Sequence, residues 1–255
     1  MARIIAVVNQ KGGVGKTTTS VNIAASLSAT KRKTLLVDLD PQGNATSGSG
    51  VDKENVELSI YDLLVETQGA RSCILPHVAA GYDLIPSNSD LTGAEVALLD
   101  MPDREYLLEK ALRSIEADYS YIFIDCPPSL NMLTINALVS ADSLLIPAQC
   151  EYYALEGLSS LMSTIETIKV SLNPSLKIDG LLRTMFDPRN NLALEVSKQL
   201  TDHFGDLVYR TVIPRNIKLA EAPSHGLPAL LYDRSSSGAA AYLALAGEML
   251  RKESA

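Results

Sequence analysis

Gln10-Lys11-Gly12-Gly13-Val14-Gly15-Lys16-Thr17-Thr18 is the stretch that decides how this chain reads. Gly15, Lys16 and Thr17 fill the last three places of the phosphate-binding pattern G-x-x-x-x-G-K-[S/T]. Gln10 stands where that pattern has its first glycine, and Lys11 followed by Gly12-Gly13 lies inside the loop. Glycines let successive backbone N–H groups turn inward on an anion, and the N-terminus of the following helix adds its positive dipole. Lys16 alone suffices to contact the β- and γ-phosphates, with Thr17 bringing its hydroxyl to Mg2+. A second lysine, Lys11, needs a separate reason.

Outward from the loop, an apolar run at residues 3–9 precedes it and a helical segment near 16–29 follows it. Further strand-like runs lie at 34–38, 121–125, 143–147, 180–186 and 207–213, with a weaker one at 82–85. Helix-length segments fall near 91–99, 103–117, 129–140, 154–172, 190–204 and 238–252. This alternation, with the phosphate loop, predicts an α/β fold: a single P-loop domain over residues 1–255, with a mostly parallel twisted sheet and helices on both faces. Ligands are then expected at the carboxyl ends of the strands. The Gly/Ser/Asn-rich residues 42–50 read as a mobile loop beside the phosphates.

Composition agrees with a full globular core. The 255 residues are 46% hydrophobic and 20% charged, with no Trp and an aliphatic bias that suits buried parallel strands. No run approaches the roughly 20 apolar residues that span a bilayer, and the N-terminus enters the first strand without the form of a signal peptide. Cys73, Cys126 and Cys150 have no metal-site spacing and read as buried free thiols in a reducing cytosol. The net charge of −8 opposes nucleic-acid binding, but residues 183–218 hold 6 basic and 4 acidic residues, so a basic patch on an acidic protein is possible.

Two acidic strand ends complete the pattern. In Leu35-Leu36-Val37-Asp38-Leu39-Asp40-Pro41-Gln42-Gly43-Asn44, Asp38 and Asp40 emerge at the end of an apolar run. A carboxylate there can hold Mg2+ through water or orient the water that attacks a γ-phosphate. In Tyr121-Ile122-Phe123-Ile124-Asp125-Cys126-Pro127-Pro128-Ser129, Asp125 is expected beside Mg2+ through water, and Ser129 as the N-cap of the next helix. Cys126 has no histidine nearby in sequence; His77, His203 and His225 are scattered and read as surface or structural residues. Val212-Ile213-Pro214-Arg215-Asn216 ends a strand where a loop can cover a nucleotide base, Pro214 offering an apolar face and Asn216 an amide.

Together KGGVGKTT, DLDPQGN, FIDCPPS and IPRNIKLAEAPSHG resemble the ParA/Soj family of chromosome- and plasmid-partitioning ATPases over nearly the whole chain. The resemblance implies ATP and Mg2+ as cofactors, with contacts from Lys11, Gly12, Gly13, Val14, Gly15, Lys16, Thr17 and Thr18. Lys11 matches the signature lysine that reaches the phosphates of a partner subunit in an ATP-bound sandwich homodimer, and Gly12 the glycine of close approach between subunits. Asp40 matches the residue that positions the attacking water, and Asp125 a second acidic switch. Arg189 and Lys218 fall where Soj-like proteins carry basic residues for sequence-independent DNA binding. Lys218 keeps charge where relatives often have Arg, but loses the forked geometry. The loop lies near the N-terminus, leaving no room for the helix-turn-helix domain of the larger plasmid proteins. The implied partner is a ParB-type centromere-binding protein, and the implied place is the cytoplasm at the nucleoid. A MinD-like membrane ATPase is the alternative. Such proteins end in a basic amphipathic helix, whereas Glu248-Met249-Leu250-Arg251-Lys252-Glu253-Ser254-Ala255 is mixed in charge, so no membrane partner is expected.

Overall fold

The computed structural model describes residues 1–78 and 80–253. Ala79, and Ser254 and Ala255 at the end of the mixed-charge terminus, lie outside the described residues. The elements run β1 (Arg3–Val7), α1 (Lys16–Ala29), β2 (Thr34–Asp38), α2 (Asn44–Gly48), α3 (Ile60–Leu64), β3 (Asp83–Ile85), α4 (Ala94–Ala97), α5 (Leu107–Arg113) and β4 (Tyr121–Asp125). Then come α6 (Met132–Ser140), β5 (Ser143–Gln149), α7 (Ala154–Ser171), β6 (Lys177–Phe186), α8 (Asn191–Phe204), β7 (Val208–Pro214), α9 (Ile217–Glu221), α10 (Ala229–Tyr232) and α11 (Ser237–Glu253).

Seven strands form one sheet in the order β3-β2-β4-β1-β5-β6-β7, every pairing parallel. The strands are apolar throughout because both faces are covered. Ile4 and Ala6 of β1 and Ile122 and Ile124 of β4 point into one core, which α3, α5, α6, α7 and α8 close. Ile5 and Val7, with Tyr121 and Phe123, point into the other, closed by α1 and α11. Successive strand side chains alternate between faces, so one apolar run supplies two cores. The central strand β1 lies between β4 and β5, and the chain order reverses around it. The carboxyl ends of β1, β2 and β4 therefore converge on the crevice where ligands of such sheets bind.

Several boundaries differ from the sequence reading. β1 stops at Val7 because Asn9 leaves the ladder: its Nδ2 donates to the Pro147 carbonyl (2.7 Å) and its Oδ1 accepts from the Lys11 N–H (2.9 Å). Residues 42–50 are not an irregular loop but contain α2, which Gly43 (φ 61°) introduces. The segment at 91–99 keeps regular helix only in α4, and that at 103–117 only in α5. Asn131, not Ser129, caps α6, its Oδ1 accepting from the Thr134 N–H (3.0 Å), while the Ser129 carbonyl accepts from the Thr134 hydroxyl (2.6 Å). Three short helices, α3, α9 and α10, escaped the reading because one turn carries no periodicity to detect.

Candidate nucleotide site

The loop between β1 and α1 turns on Gly13 (φ 73°) and Gly15 (φ 87°), left-handed conformations that side chains disfavour. Gly15 starts α1 without a side-chain cap, which leaves N–H groups of its first turn for an anion. Lys16 is 8% exposed, and its Nζ donates to the Lys11 carbonyl (3.2 Å), folding the ammonium back over its own loop. Burial lowers its pKa, opposed by the charges of Asp125, Cys126 and Asp40. The loop is held from behind by β6, where the Thr184 hydroxyl donates to the Val14 carbonyl (2.8 Å).

Asp38 and Asp40, one residue apart, do different work. Asp38 is fully buried; its Oδ2 accepts from both the N–H and the hydroxyl of Thr46 (2.7 Å each), and its Oδ1 from the Asp40 N–H (3.2 Å). It is thereby a tie for α2, and the expectation that it emerges at the site does not hold. Asp40 points the other way, half-buried, and lines the cavity over the loop; its Oδ1 accepts from the Gln42 N–H (2.9 Å). Asp125 stands beside Asp38 in the β2–β4 ladder and is fully buried. Its Oδ1 accepts from the Ser20 hydroxyl (2.8 Å), while its buried Oδ2 has no hydrogen-bond partner among the described residues. Burial pushes its carboxyl up toward neutrality, the neighbouring Asp38 pushes it further, and the hydrogen bond from Ser20 opposes the shift. A buried acceptor without a donor fits a site whose ligand brings one.

The cavity over the loop measures about 650 Å³ and is lined by Gly12, Gly13 and residues 15–18 of the loop, by Asp40 and by Pro127 and Pro128. A smaller one of about 180 Å³ adjoins it, lined by Ile213, Pro214, Asn216 and Tyr242. Pro214 thus lines a cavity beside the phosphate loop. Asn216 is there too, but its amide is engaged: Oδ1 caps α9 through the Leu219 N–H (3.2 Å) and Nδ2 donates to the Ser237 hydroxyl (2.8 Å).

Lys11 does not enter the cavity. It is exposed at the mouth and ion-paired with Glu151 at the end of β5. Gly12 beside it has an ordinary φ, and a Cβ added there would meet nothing within 4 Å, so nothing in this chain requires a glycine at that position. Arg189 lies on the loop after β6 and Lys218 in the first turn of α9, and the two segments are joined where the Arg215 N–H donates to the Phe186 carbonyl (3.1 Å). Both cations are already paired, Arg189 bidentately with Asp187 (2.9 and 2.8 Å) and Lys218 with Glu221 (2.9 Å). Arg215, exposed between them and without an ion pair among the described residues, is a basic residue the sequence reading left unassigned. Its position immediately after a strand end was the available signal. Glu151 and Thr184 gave none, since their partners are distant in sequence.

An AAA domain family model matches residues 2–178. The sporulation initiation inhibitor protein Soj of Bacillus subtilis is 52% identical over 249 residues, 98% of each chain. The chromosome partitioning protein ParA of Myxococcus xanthus is 50% identical over 253 residues, 99% of this chain and 89% of that one. The chain belongs to the ParA/Soj family of chromosome-partitioning ATPases. Among solved structures, a Mycobacterium smegmatis protein described as cobyrinic acid a,c-diamide synthase, with ADP and magnesium bound, superposes with a TM-score of 0.87 at 36% identity, covering 100% of this chain and 96% of that one. The two lysines of the loop face opposite ways: Lys16 inward, Lys11 outward. The cysteines are buried and free, and the histidines are exposed, as expected for residues outside the site.

Proposed function

We propose that this protein is a partition ATPase of the ParA/Soj type, residues 1–255 acting as one ATPase domain, in which ATP binding drives sandwich dimerisation and sequence-independent DNA binding and hydrolysis resets the cycle. The observation that carries the reading is the pair of loop lysines. Lys16 is committed to its own loop, whereas Lys11 stands exposed beside a glycine around which this chain leaves open space. That arrangement supports a role for Lys11 toward a second copy of the chain.

In the proposed site, N–H groups from Gly13 to Thr18 and the Lys16 ammonium hold the triphosphate, and Thr17 and Asp125, the latter through water, hold Mg2+. Magnesium supplies charge neutralisation of the phosphates when bound. Asp125 Oδ2, buried without a donor, fits a water carried by a hydrated cation. Asp40 orients the water that attacks the γ-phosphate, releasing ADP and phosphate. Lys11 of the partner places its charge on the transferred group, so that assembly completes the active site. Pro214 covers the base; Asn216 shapes that loop through its cap.

Arg189, Lys218 and Arg215 are proposed to contact DNA phosphates, and dimerisation doubles this small patch on an acidic protein. A ParB-type protein is the proposed stimulating partner, and the nucleoid in the cytoplasm the place of action. A MinD-like membrane role has less support. No helix among the described residues is long and apolar enough to cross a membrane. The last turn of α11 is also tied to the sheet: Glu253 accepts from Arg3 and Tyr121, and Lys252 Nζ donates to the Asp179 carbonyl (3.2 Å). Retention on DNA with ATP, ADP or no nucleotide tests the reading; equal, salt-insensitive binding in all three would remove the DNA role.

A further inference from the structure

Met185 has a positive φ of 48°, which is rare for an unbranched side chain with no local hydrogen-bonding group. It sits where the β6–β7 register shifts, between Arg183 and Phe186. Irregular register of this kind re-aims a side chain, and backbone outliers gather at functional sites. Here the effect is specific. The half-buried Met185 lines both the large phosphate-side cavity and the small one beside Pro214. Gly15, Thr18 and Met185 alone are shared by the two linings, so they form the passage between them. Gly15 and Thr18 belong to the phosphate loop and α1; Met185 is the one contribution from the opposite wall. Its Cε lies 3.8 Å from where a Gly15 Cβ would stand, and the adjacent Thr184 is bonded to the loop at Val14 (2.8 Å).

We propose that Met185 is a positioning residue for the nucleoside: its thioether forms the wall against which the nucleoside half of a nucleoside triphosphate seats as it runs from the loop into the smaller cavity. The inference rests on the nucleotide reading of the site and deepens it. Apolar contact at the junction fixes the base relative to the phosphates, and the flexible, polarisable thioether adapts to a flat ring or a sugar face. The left-handed backbone is what brings the side chain to that junction.

The test compares wild type with Met185→Gly, which accepts the same φ without strain, and Met185→Leu, which keeps most of the volume. Binding of ATP, GTP and inorganic tripolyphosphate is measured beside thermal melting. Met185→Gly is expected to melt close to wild type, to bind ATP about ten-fold more weakly from the lost side-chain burial, and to bind tripolyphosphate unchanged. Its preference for ATP over GTP falls as well, and Met185→Leu restores most of the ATP affinity. Wild-type ATP affinity and selectivity in Met185→Gly overturn the proposal. Equal losses for ATP and tripolyphosphate also overturn it, since Met185 would then act only by bracing the loop. A wild-type protein that binds tripolyphosphate but shows no added affinity for ATP overturns the nucleoside seat and leaves the phosphate loop intact. Failure to bind either refutes the nucleotide reading itself.

Discussion

Glu151→Gln frees Lys11 while keeping the size of the side chain it leaves. The Lys11 ammonium is held by Glu151, with the two side chains 45% and 44% exposed. An ion pair at that exposure contributes roughly 0.2–1 kcal/mol. A two-fold dimer in which each Lys11 serves its partner must break both pairs, a cost of about 0.4–2 kcal/mol. Removing that cost tightens ATP-dependent dimerisation by about two- to thirty-fold. Sedimentation over a dilution series in a non-hydrolysable ATP analogue measures this directly. The gain is expected at low salt and shrinks at high salt, where exposed charges are screened. Adding Glu151→Gln to Lys11→Ala then changes nothing, because the two side chains act through one contact. Unchanged or weaker dimerisation of Glu151→Gln at low salt would refute the competition between the two positions of Lys11.

Gly12→Val and Gly15→Ala separate space from backbone. Gly12→Val meets no atom of its own chain, so it should melt like wild type and bind ATP yet sediment as a monomer. Gly15→Ala, at φ 87°, should cost about 1–2 kcal/mol of stability, read by denaturant melts, and weaken ATP binding. The buried Asp38 and Asp125 carboxyls both sit above their ordinary range. The folded, ligand-free chain thus keeps protons that the unfolded chain has released, and stability present in acid is lost as pH rises from the ordinary carboxylate range toward neutrality. Asp125→Asn should flatten that profile and raise the ligand-free melting temperature at neutral pH by a few degrees, with loss of turnover. Arg189→Ala should lower the log–log salt slope of DNA binding by about 1–2 per dimer, without altering ATP affinity.

The sheet was legible because parallel strands buried on both faces must be continuous apolar runs, and all seven runs became strands. The loop was equally legible, since Gly13 and Gly15 sit at the left-handed positions for which their residue type is the signal. What the sequence concealed depends on partners far apart in the chain. Asp38 and Asp40 look alike as text, and strand alternation would put both on one face; β2 ends at Asp38 and the chain turns beyond it, so one carboxylate reaches Thr46 and the other the cavity. α2 was hidden because Gly, Ser and Asn disfavour helix locally, and it is the Asp38 carboxylate that organises its first turn. Glu151, just past β5, and Thr184 and Met185 of β6 reach the loop, and no spacing rule links residues more than a hundred positions apart.

In the proposed dimer the site of one subunit is completed by Lys11 of the other. Lys11→Ala and Asp40→Ala are each expected to be inactive in ATP hydrolysis, the first for want of the partner's cation, the second for want of an oriented water. When the two are mixed, the Asp40→Ala subunit lends its Lys11 to a site that still has Asp40. Random pairing gives one working site in half of the dimers, so the mixture should recover up to about a quarter of the wild-type rate. A mixture that stays as inactive as its components would show that Lys11 serves its own subunit, and would contradict the account.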